Sequence, residues 1–550
     1  MVQRRNSKIK RTLRLMKFNI FLYLNVMLGL FPLFFLNQYE KIGTLKYTLF
    51  WYSSLIFLGI SATLILINGV GILRDKKGSG HIVVVGKKRF YALELSFMDR
   101  AILVYGGCVL LSFVFSDFKE FALNGADGWQ MGLYAQLIFI GIYFVLSRYS
   151  TWIEAVLGIH FLASGLVFLL GILHRFDIDP MGMYPGLSVL QKQEFLSTIG
   201  QATWYSSYVC TVFILGVLIF YFGKKPLYHL GGAAYTVLSF ATLVTQNSDS
   251  AFLAIAGVML LLGLFSFSEP GRLSRFLQVM AFMWGTFGCM GIFQKIFAHR
   301  MIPLDNLSLF FSQSPISWIC LILSVMGYIA LERMGEEKVL RWLPLLKKIY
   351  IGFLITIAVM IIGVLLFIFL NTKGYLLQWF GYQTHNLYFY FDYHWGNNRG
   401  STWMIAWQQF KEMPLLNKLF GVGPDCFSAY LYSVEEAKKL LESLWGSLTL
   451  TNAHNEYLNH LICYGIGGLA AWLTVLIGGI RYFYIKAQNN PYLIGAACCI
   501  IAYSCHNFFC YQQVCCTPIL FIIMGLAEGL TKWGKSPTII KNKNRKKRKA

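Results

Sequence analysis

Uncharged apolar runs about as long as a lipid bilayer is thick constrain this chain more than any other feature. Residues 18–36 hold no charge, and from Ile351 the sequence reads IGFLITIAVMIIGVLLFIFL. A helix needs about 20 residues to cross the hydrocarbon core. About fourteen such segments are predicted, centred near 18–36, 49–70, 101–115, 131–147, 152–173, 203–222, 227–246, 250–267, 276–295, 316–332, 350–371, 456–479, 493–510 and 514–530. With 56% hydrophobic and 13% charged residues, the chain lacks the polar surface of a water-soluble fold. The expected class is an all-α polytopic integral membrane protein. The first run is too long for the apolar core of a signal peptide, and no small-residue cleavage site follows it, so it is expected to stay as a span.

A net charge of +23 raises the question of nucleic acid, and its distribution answers it. Basic residues cluster at the two ends, in VQRRNSKIKRTLRLMK and KNKNRKKRKA, and in short loops. With the N-terminus inside and the spans alternating, the inside segments hold 35 of the 48 Lys and Arg. That asymmetry is what retention of basic residues in the cytosol produces, and it places both termini there. A nucleic-acid partner would need a basic folded face, so none is expected. Most of the twelve cysteines lie in apolar runs, including Cys498, Cys499, Cys505, Cys515 and Cys516. They read as small hydrophobes, and neither a metal nor a disulfide framework is expected.

The expected organisation is a basic tail (1–17), a bundle of about eleven spans (18–371), a large polar loop (372–455), about three further spans (456–530) and a basic, low-complexity tail (531–550). The loop carries six basic and six acidic residues and is long enough to have structure and function of its own. Trp403, Trp407 and Phe410 recur at helical spacing, Gly421–Asp425 (GVGPD) reads as a turn, and Ser433 to Glu436 reads as a capping box. Ala437, Leu440, Leu441 and Leu444 form one face of the helix that follows.

This loop also holds the candidate chemistry. Arg399 supplies a permanent, forked charge suited to phosphate oxygens. His454 is the side chain suited to proton transfer near neutral pH. Gly421 and Gly423 allow a tight turn or close approach to a ligand. Taken singly, each also has a structural reading: a solvated charge, a helix-start hydrogen bonder, a turn. The aromatics of 375–410 are either sugar-stacking rings or an interfacial belt. Asn459, His460, His506, Asn507 and His160 fall within spans, where polar groups are costly. They either extend the site or satisfy one another between helices, the latter being the default for His160.

The strings NNRGSTWMIAWQQFKEMPLLNKLFGVGPDCF and AHNEYLNHLICYGIGGL resemble the O-antigen ligase and polysaccharide polymerase family. The shared features are Arg399, Trp403, Gly421-Val-Gly423 with Phe427, and His454-Asn455 before Gly465, Gly467 and Gly468. The many-span layout with one large external loop also resembles GT-C-type membrane glycosyltransferases. The resemblance implies a bacterial cytoplasmic-membrane enzyme acting at the outer face. It would use a polyprenyl-pyrophosphate glycan donor, an acceptor that is a glycan, lipid, protein or wall polymer, and no cofactor or metal. Arg399 would face the pyrophosphate and His454 would act as base or orient the acceptor, with Trp403, Gly421, Gly423, Asn455 and Glu456 about the substrate. The sequence departs from the family where a Ser-Arg pair is usual: Thr245 to Ser250 reads TQNSDS, with Asp249 in place of the Arg. Arg300 and Arg175 are then candidates for a second cation. Gln201 stands where an Asn is usual, in a segment that either lines the lipid site or caps a helix. A transporter of lipid-linked oligosaccharide is the alternative reading, and a scaffold without chemistry a third. No internal repeat of the transporter kind is visible.

Overall fold

A computed structural model describes residues 2–73, 83–85, 88–90, 95–150, 154–386, 388–446 and 448–533. The basic tail beyond residue 533 lies outside them. Helices dominate, and each predicted apolar run falls on helical segments, the run 203–222 being divided at Phe213 into Ala202–Val212 and Ile214–Phe222. Ten of the described helices are long and apolar enough to cross a membrane, with shorter apolar helices at Leu133–Tyr149, Ser250–Ser266 and Pro491–His506. Two small antiparallel strand pairs, Val83–Val85 with Lys88–Phe90 and Phe195–Leu196 with Gly200–Gln201, depart from an all-helical chain.

Exposure shows which solvent the chain is built for. The apolar stretch of the Glu336–Thr372 helix is unburied all round, with Ile355, Val359 and Ile362 each more than half exposed. Apolar surface on this scale is a liability in water and costs nothing in lipid. Inside the bundle one contiguous apolar core joins nearly all the helices. The twelve cysteines are free thiols, most of them buried there.

Contacts sort the connections onto two faces. On one, Ile302 N–H donates to the Arg175 carbonyl, Arg175 to Thr245, Ala126 N–H to Asp425 and Ser116 Oγ to Val422. On the other, the Asp99 carboxylate accepts from Arg148 and Lys532, and Ser274 donates to Glu332. Asp99 also completes a capping box with Ser96 that starts the Phe97–Phe115 helix. The connections that share a face are those that follow alternate spans.

The segment 372–455 is a folded cap of short helices: Tyr375–Phe380, Trp395–Glu412, Leu415–Phe420, Phe427–Ser433 and Glu435–Trp445. The expected helix at Trp403 is present, but its buried side carries Ser401, Thr402, Ile405 and Ala406 with Phe410, while Trp407 is half exposed; Ala437 and Leu441 are buried on the last of the five. The capping box at Ser433 is not formed. Residues 427–433 are already helical, so the Ser433 hydroxyl donates back to the Tyr430 carbonyl, and Val434 precedes the next helix without a side-chain cap.

Candidate active site

Two breaks in spanning helices shape the site. The first lies in Glu456–Ala487, where Gly465 adopts φ +67° and splits the helix in two. The carbonyls freed near the break are taken up by the glycine turn: Val422 N–H donates to Ile462 O and Gly423 N–H to Cys463 O, both at 3.1 Å. Ser112 Oγ adds a 2.5 Å bond to Cys463 O. Gly421 (φ +79°) and Gly465 pack backbone against backbone, and a Cβ on either would overlap the other's strand of chain. The two glycines of GVG thus join the cap to the broken helix.

The second break is the non-helical stretch between Ile494–His506 and Thr517–Trp533. Sequence periodicity ran both helices through much of it. Most of its residues are buried, with Phe508 exposed, so its backbone groups must find partners within the protein. Asn455 caps its own helix through Leu458 N–H at 2.9 Å and donates to Phe508 O at 3.0 Å. Glu456 N–H donates to Asn507 O at 3.0 Å. The Glu456 carboxylate accepts from Trp472 Nε1 at 2.6 Å and from the Asn507 amide. It is buried and turned into the bundle, away from His454.

Arg399 and His454 both rest on this stretch. The Arg399 guanidinium lies over the Phe509 ring, 5.6 Å from its centroid. The His454 ring meets Tyr511 edge-on at 5.5 Å. Trp403, one turn beyond Arg399, stacks on Phe509 at 6.0 Å. Arg399 donates to the Gly396 carbonyl at 3.2 Å, and its Nε has no partner among the described residues. Partial burial holds its pKa below the usual arginine value. His454 sits at φ +47°, a left-handed backbone rare outside glycine. The Asn452 side chain fixes it by accepting from His454 N–H at 3.0 Å. Burial, helped by the Arg399 charge, pushes the imidazole down to about 4, so it is neutral at physiological pH and able to accept a proton.

Of the two second-cation candidates, the structure brings one close. Arg300 is exposed on the turn after Pro270–Ile296. Arg175 is fully buried at the end of Glu154–Arg175. It donates to Thr245 O (2.8 Å), Gln193 O (3.1 Å) and Gln246 O (3.2 Å), leaving Nη1 without a partner among the described residues. The charges of Arg175 and Arg399 both act on Asp305, whose pKa partial burial and Asp249 hold above the usual carboxylate range. The guanidinium of Arg175 therefore packs on the TQNSDS segment that lacks the family's arginine. Sequence reasoning named neither Asp305 nor the aromatics Phe509 and Tyr511. Local signals for them are weak: Pro303 two residues before Asp305, and the paired glutamines that end the FFCYQQ string.

The polar residues in spans divide similarly. His506 Nε2 is 2.7 Å from Ser206 Oγ. His460 stacks on Trp472. His160 Nδ1 lies 3.1 Å from the Leu28 carbonyl, which gets no i+4 bond because Pro32 has no N–H. Gln201 precedes the Ala202–Val212 helix without a side-chain cap.

Fold and site together define a multi-pass, all-α membrane protein whose folded cap sets an arginine and a neutral histidine on a helix break. Residues 301–473, about a third of the chain, match the model of the O-antigen ligase family (Wzy_C). The match spans Arg399, the GVG turn and His454, agrees with the resemblance carried by 397–470, and supports a function of the ligase or polymerase type. No curated protein matches the chain.

Proposed function

We propose that this protein transfers a glycan from a polyprenyl pyrophosphate carrier to an acceptor hydroxyl at the outer face of a bacterial cytoplasmic membrane. The observation that carries this reading is the meeting of Arg399 and His454 on Phe509–Tyr511. The acceptor oxygen forms its bond to the anomeric carbon as the bond from that carbon to the pyrophosphate oxygen breaks. The leaving group departs as polyprenyl pyrophosphate, with Arg399 and the buried Arg175 offsetting its charge. The neutral His454 takes the hydroxyl proton. The apolar, lipid-facing helices suit a donor carried on a long prenyl chain. Ligase and polymerase chemistry need the same groups.

The test is reconstitution in vesicles with a polyprenyl-pyrophosphate oligosaccharide and candidate acceptors. Coupled product is expected from the wild type. His454→Ala is expected to lower turnover at least ~10²-fold, within the usual worth of a general base, with donor binding retained. Arg399→Lys is expected to weaken donor binding and turnover, since an ammonium lacks the planar fork. Movement of the donor across the bilayer without bond formation would replace this reading with the transporter.

A further inference from the structure

A small polar cavity lies against Tyr511 and Asn452, the two residues that hold His454, and is lined also by Trp129, Asp425, Asn459 and Gln512 among others. Its charged member, Asp425, belongs to the GVGPD turn and is 7% exposed. One carboxylate oxygen, Oδ2, accepts from two backbone donors of a different loop, Ala126 N–H at 2.9 Å and Met131 N–H at 3.1 Å. These donors bracket a tight turn in which the Ala126 carbonyl accepts from Trp129 N–H and Gln130 N–H, and Gln130 has φ +52°. A carboxylate gripping both ends of a strained turn sets where its central side chain points.

That side chain is Trp129. Its indole meets Tyr511 edge-on at 4.9 Å and 90°, and Trp204 at 5.1 Å and 81°. Trp204 Nε1 in turn donates to Tyr511 Oη at 3.3 Å. Tyr511 is therefore held from two sides, and its ring is the surface against which His454 rests. Asn452 lines the same cavity and fixes the His454 backbone.

We propose that Asp425 is a positioning residue for His454, acting through the 126–131 turn and the Trp129–Tyr511 contact. The inference rests on the reading of His454 as the proton acceptor. Asp425 touches no reacting atom. What it supplies is acceptor geometry, and a neutral amide oxygen at the same place can supply that too.

The experiment measures transfer by purified full-length variants in vesicles, with folding checked by thermal unfolding. Asp425→Ala is expected to lower kcat by ~10- to 100-fold while the KM for the lipid donor moves less than about threefold, the signature of a misaligned base with intact donor binding. Asp425→Asn, whose amide oxygen can accept both N–H groups, is expected to restore most of that loss. Trp129→Leu alone is expected to give a similar fall in kcat, and combined with Asp425→Ala to add little, because both act through one contact. If Asp425→Ala does not fold, the Trp129→Leu and Asp425→Asn measurements still decide. Independent, multiplying effects of the two sites, an Asp425→Asn variant as impaired as His454→Ala, or a Trp129→Leu variant with unchanged kcat would each overturn the proposal. A wild type without transfer activity would instead remove the functional reading on which it rests.

Discussion

His454 and Asp425 are both displaced from their ordinary titration range by burial, in opposite senses. Folded His454 titrates near 4, against about 6.5 for an unperturbed histidine. Between those values the unfolded chain binds the extra proton, so this group's contribution to stability is full above about 6.5 and is lost as pH falls towards 4. Asp425, with only two N–H donors to offset its burial, is pushed up to about 7, against about 3.9 unfolded. Its contribution is present below the unfolded value and is lost as pH rises through 7. Thermal unfolding in detergent is thus expected to show Asp425→Asn gaining on the wild type as pH rises from 5 to 8. An equal response of both proteins to pH would show that Asp425 does not titrate in this window. The same neutral His454 predicts that transfer holds its rate well below pH 6, with the limb due to this group near 4.

Glycine has opposite meanings in two elements. Gly465 interrupts Glu456–Ala487 with a left-handed backbone, and a Cβ there would overlap the Leu419 carbonyl and Gly421 nitrogen. Gly465→Ala is expected to cost at least ~1–3 kcal/mol of stability from backbone strain alone and to separate the GVG turn from the break, so activity falls with it. Gly363 lies in the lipid-facing part of Glu336–Thr372 with open space around it. Gly363→Ala is expected to be neutral or stabilising by up to ~1 kcal/mol. Unfolding midpoints for the two variants check the contrast. From the sequence, both are glycines in apolar runs. Gly465 falls in a Gly-rich string, yet nothing in the periodicity of 456–479 showed that the helix stops there and restarts. The 507–516 stretch was hidden for the same reason: its residues are apolar enough to be read as more helix, and its backbone is satisfied instead by local turns, by the Thr517 hydroxyl and by Asn455 and Glu456.

The whole molecule arranges its connections on two faces, one carrying the cap and the other the Asp99, Arg148 and Lys532 ion cluster. The charge asymmetry predicts that the cap face lies outside. A cysteine placed at Tyr388, in the exposed cap, is therefore expected to react with an impermeant maleimide added to intact cells. One at Leu227, exposed on the opposite face, is expected to react only after the membrane is opened. The reverse pattern would move the site to the cytosol and remove the lipid-linked donor reading.

Span positions, the folded cap, and Arg399 and His454 as the residues to watch were legible in the chain, because each is a local property: a run length, a charge count, a short motif. What chemistry surrounds those residues was not. Arg175 beside the arginine-free segment, Glu456 facing inward, and Tyr511 beside His454 are contacts between residues tens of positions apart. Burial and hydrogen bonding set their partners, and both exist only once the helices have packed.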